Sequence, residues 1–193
     1  MGKSKVWEPD PSEPIGKNER IGRRIWDTPK LRGADTQPDV AALDIEIFRE
    51  RRSKEVSLDR LGRTGIEKRV ISYLQPRCEL HGASFSPNRR FDGWATIQAE
   101  KLTNKWNNIP KWSISASPVE GNSEVPNSDN RYHAHAVCDG SDNDLTVALF
   151  LRHLFERYGD LHPAPTNSPN EQSQSNWLKS LITAIRRSIF RDR

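Results

Sequence analysis

Two segments of this chain alternate apolar and polar residues with a period of two, and they constrain its fold more than any other feature. In residues 111–117, Trp112, Ile114 and Ala116 alternate with serines, and residues 131–138 repeat the pattern. Such alternation is typical of strands that bury one face. A polar loop with two prolines joins the segments, so we expect neighbouring strands with a long connection.

Two further segments have the character of strands. Leu43, Ile45 and Ile47 alternate with acidic residues, which favours a strand; because Ala, Leu, Glu and Arg are good helix formers, a helix over residues 40–52 is the alternative. Residues 56–61 predict a second short extended segment, closed by glycines.

Helical patterns lie between and after these strands. Apolar residues recur at helical spacing over residues 66–74, and this helix is predicted to end before Pro76. A helix is also predicted over residues 93–105, and a longer one with a broad apolar face over residues 141–158, capped by its first serine. The sequence therefore predicts an α+β fold, a small and mainly antiparallel sheet with two or three helices on one face.

Composition divides the chain into four parts. Hydrophobic residues make up 34% of the sequence, well below the roughly 45–50% of an ordinary domain. Residues 1–39 are rich in proline and glycine and are predicted to form an extended arm, whereas residues 40–160 carry the α+β domain. Residues 161–176 contain three prolines among serine, glutamine and asparagine, which is typical of a flexible linker. Residues 177–193 follow as a basic amphipathic helix.

Charge and cysteine content exclude several classes of protein. The formal net charge of +4 divides into +5 over residues 1–105, −5 over residues 106–175 and +4 over the rest. No run of about 20 apolar residues is present, which excludes a membrane-spanning helix. Two cysteines cannot form a disulfide framework, and the first residues lack the apolar stretch of a secretory signal. These features favour a cytoplasmic protein.

The helix after the linker suggests a first function. A basic amphipathic helix on a flexible tether can fill a groove on a protein partner, or lie weakly on an anionic membrane surface, or fold back on its own domain. We therefore predict an adaptor-type protein that engages a protein partner through this helix and the N-terminal arm. The predicted contact residues are Leu178, Leu181, Ile182, Ile185 and Ile189, flanked by Arg186 and Arg187.

Cysteine and histidine form two tight groups that suggest a metal site. Cys78 and His81 are three residues apart, and His133 and His135 share one face of a predicted strand. Zinc takes these ligand types at such spacings. The four residues are therefore candidate zinc ligands, and buried structural roles for both groups are the alternative.

The same histidines suggest an enzyme as the alternative function. His133 and His135 could exchange protons near neutral pH, and nearby arginines such as Arg60 could hold an anion. Asp59 is the most attractive carboxylate, because apolar residues flank it. The candidate catalytic residues of a hydrolase or nuclease-like enzyme, with or without a metal, are thus His133, His135, Asp59 and Arg60.

A third function follows from the net positive charge of residues 1–105, which we call the basic front of the chain. Arg20, Arg23 and Arg24 lie near Trp26, and Arg89 and Arg90 precede two further aromatic residues. Cationic and aromatic side chains together suit RNA or a single nucleic-acid strand. The same residues could instead form a solvated surface of ion pairs.

Overall fold

The computed structural model describes residues 7, 9–10, 13–28, 31, 39–50, 55–107, 109–140 and 144–165. Over these residues the chain forms one sheet and three helices, which confirms the predicted α+β class. In chain order the elements are β1 (Arg20–Trp26), two 3₁₀ turns (Val40–Ala42 and Ile45–Phe48), β2 (Glu55–Gly62), α1 (Lys68–Phe85), β3 (Phe91–Gln98), α2 (Ala99–Thr103), β4 (Trp112–Ala116), β5 (His133–Cys138), α3 (Asp144–Tyr158) and β6 (Asp160–Pro163).

The strand order of the sheet is β4-β5-β2-β1-β3-β6, and every neighbouring pair is antiparallel. The two alternating segments form β4 and β5, which pair with each other as predicted, from Trp112 opposite Cys138 to Ala116 opposite Ala134. The predicted segments 56–61 and 141–158 are also confirmed as β2 and α3, although residues 141–143, including the predicted cap Ser141, lie outside the described residues.

Helices cover both faces of this sheet, whereas the prediction placed them on one. Trp94 of β3 belongs to the same buried apolar cluster as Leu74 of α1, and Ala95 belongs to a second cluster with Leu151 of α3. Consecutive residues of a strand point to opposite faces. The helices α1 and α3 therefore lie on opposite sides of the sheet, and each closes its own apolar cluster.

Part of the predicted N-terminal arm is a central strand. β1 pairs with β2 on one side and with β3 on the other, and Ile21 and Ile25 are fully buried. Prolines and glycines on either side of residues 20–26 obscured this strand. Its two arginines at positions 23 and 24 also hid the alternation, because both are held by partners inside the protein.

The predicted strand over Leu43, Ile45 and Ile47 is wrong, and no continuous helix replaces it. Two 3₁₀ turns occupy this segment instead. Asp39 accepts a hydrogen bond from the amide of Ala41 at 3.3 Å, and Asp44 accepts one from Glu46 at 2.9 Å. Aspartate side chains that bond to the backbone two residues on favour turns over strands.

Two helix predictions also need correction. α1 continues through Pro76 to Phe85, because its apolar face extends beyond the proline to the buried Cys78. Packing of this face offsets the hydrogen bond that the proline cannot donate. The predicted helix over 93–105 is instead the end of β3 followed by the short α2. β3 is buried on both faces, so it lacks the alternation that marks a half-exposed strand.

The end of the described chain differs from the predicted linker in one respect. β6, Asp160–Pro163, adds an edge strand to β3 and so includes the first residues assigned to that linker. The rest of the linker after Pro165, and the predicted amphipathic helix over residues 177–193, lie outside the described residues. Among the helices that the structure describes, none is long and apolar enough to cross a membrane.

Candidate functional site

A cavity of about 330 Å³ lies where α1, the long β4–β5 connection and the strands β5, β2 and β1 meet. Its floor comes from Arg24, Ser57 and His133, which lie on three neighbouring strands. The face of α1 supplies residues spaced by three and four, which is the spacing of one helix face. The helix residues are Arg77, Leu80, His81 and Ser84, and the loop residues are Val119, Val125, Asn127, Ser128, Asp129 and Asn130.

The fully buried Asp59 anchors the floor of this cavity. Its two carboxylate oxygens accept a forked pair of hydrogen bonds from Arg24 at 2.7 Å each. The indole of Trp94 and the side-chain amide of Asn130 each donate a further bond at 2.9 Å. Burial alone would raise the pKa of Asp59, but the charge of Arg24 and the donated bonds outweigh burial and lower it. Asp59 is therefore an ionised structural group.

His133 is buried next to this ion pair and has a defined tautomer. Its Nδ1 atom lies 2.8 Å from the backbone carbonyl oxygen of Ser117, and a carbonyl only accepts, so Nδ1 carries the proton. Nε2 then bears the lone pair and is the acceptor of the ring. Burial lowers the pKa of His133, with smaller contributions from His135 and Arg24. The side chain thus presents a neutral proton acceptor.

His81 has the opposite tautomer. Its Nδ1 atom lies 3.3 Å from Nη1 of Arg24, and a guanidinium only donates, so Nδ1 accepts and Nε2 carries the proton. Burial of the ring against its neighbours, followed by the charge of Arg24, lowers the pKa of His81 to about 4. At neutral pH one cavity wall therefore holds a hydrogen-bond donor, the Nε2–H of His81, and the floor holds a proton acceptor, His133.

The structure separates the other predicted catalytic residues from this cavity. His135 is absent from the cavity lining and its Nδ1 lies 3.1 Å from a carboxylate oxygen of Glu55. Its ring stands perpendicular to that of His133, with 4.6 Å between the ring centres. Arg60 is buried and paired with Glu19 instead of facing a ligand. Of the four predicted catalytic residues, His133 lines the cavity. Asp59 does not line it but holds Arg24, one of the residues of the cavity floor.

The four predicted zinc ligands are not gathered into one site. Among the residues that the structure describes, no group of three or more histidine, cysteine, aspartate or glutamate side chains is placed to hold a metal ion. Cys78 is fully buried with its sulfur 4.0 Å from Asp59, and burial raises the pKa of its thiol. His81 and His133 instead face the cavity, and His135 is absent from its lining.

Sequence reasoning missed two residues that define the site. Arg24 was considered only as part of a basic surface, because β1 was not recognised as a strand. His81 was considered only as a metal ligand. The spacing of Arg77, His81 and Ser84 places these residues on one face of a helix. This spacing could have indicated the position of His81 only if the helix had been predicted to continue past Pro76.

The low pKa of His81 gives a prediction about stability. The folded protein binds this proton only near pH 4, whereas an unfolded histidine binds it near pH 6.5. Between these values the unfolded state holds more protons, so the free energy of unfolding falls as the pH is lowered. We expect H81Q, which keeps an acceptor for Arg24, to flatten this fall in urea unfolding. The non-titrating neighbour variant S84A should keep the wild-type slope, and an equal slope in H81Q would contradict the shifted pKa.

Comparison of the chain with known protein families, with curated proteins and with solved structures found no match. What the protein does is therefore argued from the cavity itself.

Proposed function

We propose that the protein is a hydrolase that cleaves a small acyl compound, an ester or an amide, with water activated by His133. The observation that carries this proposal is the pair of opposite histidine tautomers on one cavity, an acceptor on His133 and a donor on His81. A neutral histidine acceptor can serve as a general base, and a histidine N–H donor can stabilise an oxyanion.

The first step uses the free Nε2 atom of His133. A water molecule between this nitrogen and the substrate loses its proton to Nε2 as its oxygen attacks the carbonyl carbon. The bond from Nδ1 to Ser117 holds the ring in place, and the negative charge of Asp59 favours the imidazolium that forms. When the tetrahedral intermediate breaks down, the leaving alkoxide or amine takes this proton, so that a carboxylic acid and an alcohol or amine leave the site.

His81 stabilises the charge that develops on the carbonyl oxygen. Its Nε2–H donates to the oxyanion while the ring stays neutral. Arg24 donates to Nδ1 of the same ring and withdraws electron density from it, so the opposite N–H becomes a stronger donor. Loss of one oxyanion donor lowers kcat by roughly 10²–10³-fold in other hydrolases.

The test compares two histidines on the same strand. We expect H133Q to lower kcat for 4-nitrophenyl butyrate by roughly 10²–10⁴-fold, the usual contribution of a general base. H135Q is the matched control and should lose far less activity than H133Q, because His135 contacts the ring of His133 but does not line the cavity. Since burial lowers the pKa of His133, the wild-type rate should persist below the pH at which an ordinary histidine is half protonated. Equal losses in both variants, or no hydrolysis by the wild type, would contradict the proposal.

The other two functional hypotheses receive less support from the described residues. Arg20, Arg23 and Arg24 of the basic front are each engaged by a carboxylate at 2.7–2.8 Å, which leaves less charge for a nucleic acid. The adaptor hypothesis depends on residues 177–193, which lie outside the described part, and it stays a prediction. Deletion of residues 170–193 should abolish association with a protein partner while the domain stays folded.

A further inference from the structure

The charged side chains that line the cavity are all paired within the protein. Arg24 is held by Asp59 and by His81. Arg77 donates to a carboxylate oxygen of Asp129 at 2.8 Å, to the backbone oxygen of Asp129 at 2.9 Å and to that of Tyr73 at 2.8 Å. Each positive charge at the cavity therefore has a negative partner in direct contact.

The remaining lining groups carry no charge. They are hydroxyl, amide and aliphatic side chains, and the two histidines hold neutral tautomers. An anionic ligand would lose its hydration on entry and would meet no unpaired cation among the described lining residues. Burial of such a charge without a partner is costly. An uncharged ligand gains contact with the aliphatic groups and can still bond to both histidines.

We infer that this site selects uncharged acyl substrates, and that Asp129 sets this preference by neutralising Arg77. The inference rests on the proposed function and adds the substrate class and a specificity-determining residue. Asp129 suits this role because it lines the cavity itself and its side chain is about two-fifths exposed. It can therefore be changed with less risk to the fold than the fully buried Asp59.

The experiment compares two esters that differ by one charge. 4-Nitrophenyl butyrate ends in a methyl group, and mono-4-nitrophenyl succinate carries a carboxylate at that end. We expect the wild type to prefer the neutral ester by about tenfold or more in kcat/KM. D129N leaves Arg77 without its carboxylate and should reduce this preference about tenfold. R77Q leaves Asp129 bonded to the Tyr73 hydroxyl but without the charge of Arg77, and it should increase the preference.

E124Q is the matched control, because it removes one negative charge from the same loop at a residue that does not line the cavity. It should leave the preference unchanged. A wild type that prefers the anionic ester, or an unchanged preference in both D129N and R77Q, would overturn the inference while leaving the hydrolase proposal intact.

A separate binding measurement distinguishes failure of the inference from failure of the proposed function. If neither ester is hydrolysed by the wild type, the hydrolase proposal falls, and calorimetry with butyranilide and with succinanilate still tests the cavity. Tighter binding of the neutral butyranilide supports the charge preference. Tighter binding of succinanilate, or binding of neither compound, overturns it.

Discussion

Replacement of Asp59 by asparagine is expected to lower the free energy of unfolding by about 3–5 kcal/mol, the usual cost of breaking a buried ion pair from one side. Asp59 is fully buried, and its two oxygens accept from Arg24, Trp94 and Asn130. An asparagine keeps one acceptor and turns an N–H₂ group toward these donors. Arg24 would remain in the interior without a negative partner.

Urea unfolding followed by tryptophan fluorescence measures this effect. D160N is the matched control, since Asp160 also pairs with an arginine, Arg20, at 2.8 Å but its side chain is 68% exposed. An exposed pair of this kind contributes only about 0–1 kcal/mol. A D59N protein as stable as D160N would show that the buried pair contributes little to the fold.

The second large effect on stability is expected at Gly93, which lies opposite Pro163 where β3 pairs with β6. The backbone of Gly93 has a φ of 138°, and a Cβ atom there would lie 2.2 Å from the carbonyl oxygen of His162 and 2.8 Å from the amide of Ala164. Both are backbone atoms, one in the edge strand and one in the residue that follows it, so no side chain can move to relieve the clash. Strain and overpacking together predict that G93A destabilises the protein by about 3 kcal/mol.

Hydrogen exchange and thermal unfolding test this prediction. In G93A the amides of β6 should lose protection first, because the clash lifts this strand from β3. G140A is the matched control: Gly140 also has a positive φ, 79°, but no atom of the described residues lies within 4 Å of the added Cβ, so only the strain of about 1 kcal/mol should remain. Equal losses in the two variants would argue against a close approach at Gly93.

Segments with one buried face were predictable from the sequence. Of the strands in the middle of the sheet, β2 was predicted, whereas β1 and β3 were missed. β4 and β5 lie at one side of the sheet, where alternation of side chains reports directly on the core. β3 lies between β1 and β6 with helices on both faces, so its residues are apolar or paired throughout and carry no alternation. In β1, the carboxylate partners of Arg23 and Arg24 come from distant segments, which no local pattern can show.

The candidate site was predictable in part: His133 and Asp59 were identified from the sequence, whereas the role of His81 was not. The position of His133 on a strand and the burial of Asp59 both follow from neighbouring apolar residues. The role of His81 depends on Arg24, which is 57 positions away in the chain, and on a helix that continues past a proline. Tautomers depend on the groups that each ring nitrogen meets, and these are set by the tertiary fold.

The central position of β1 has a consequence for folding during synthesis. Ile21 pairs with Arg60 on one side and with Ile97 on the other, so β1 leaves the ribosome before both of its neighbours and is completed only after residue 97 has followed. No local hairpin can bury it beforehand, and such long-range pairing is slow. The nascent chain must therefore keep an apolar strand with two open edges away from other chains, and its three arginines, Arg20, Arg23 and Arg24, supply the charge that discourages aggregation until the sheet closes.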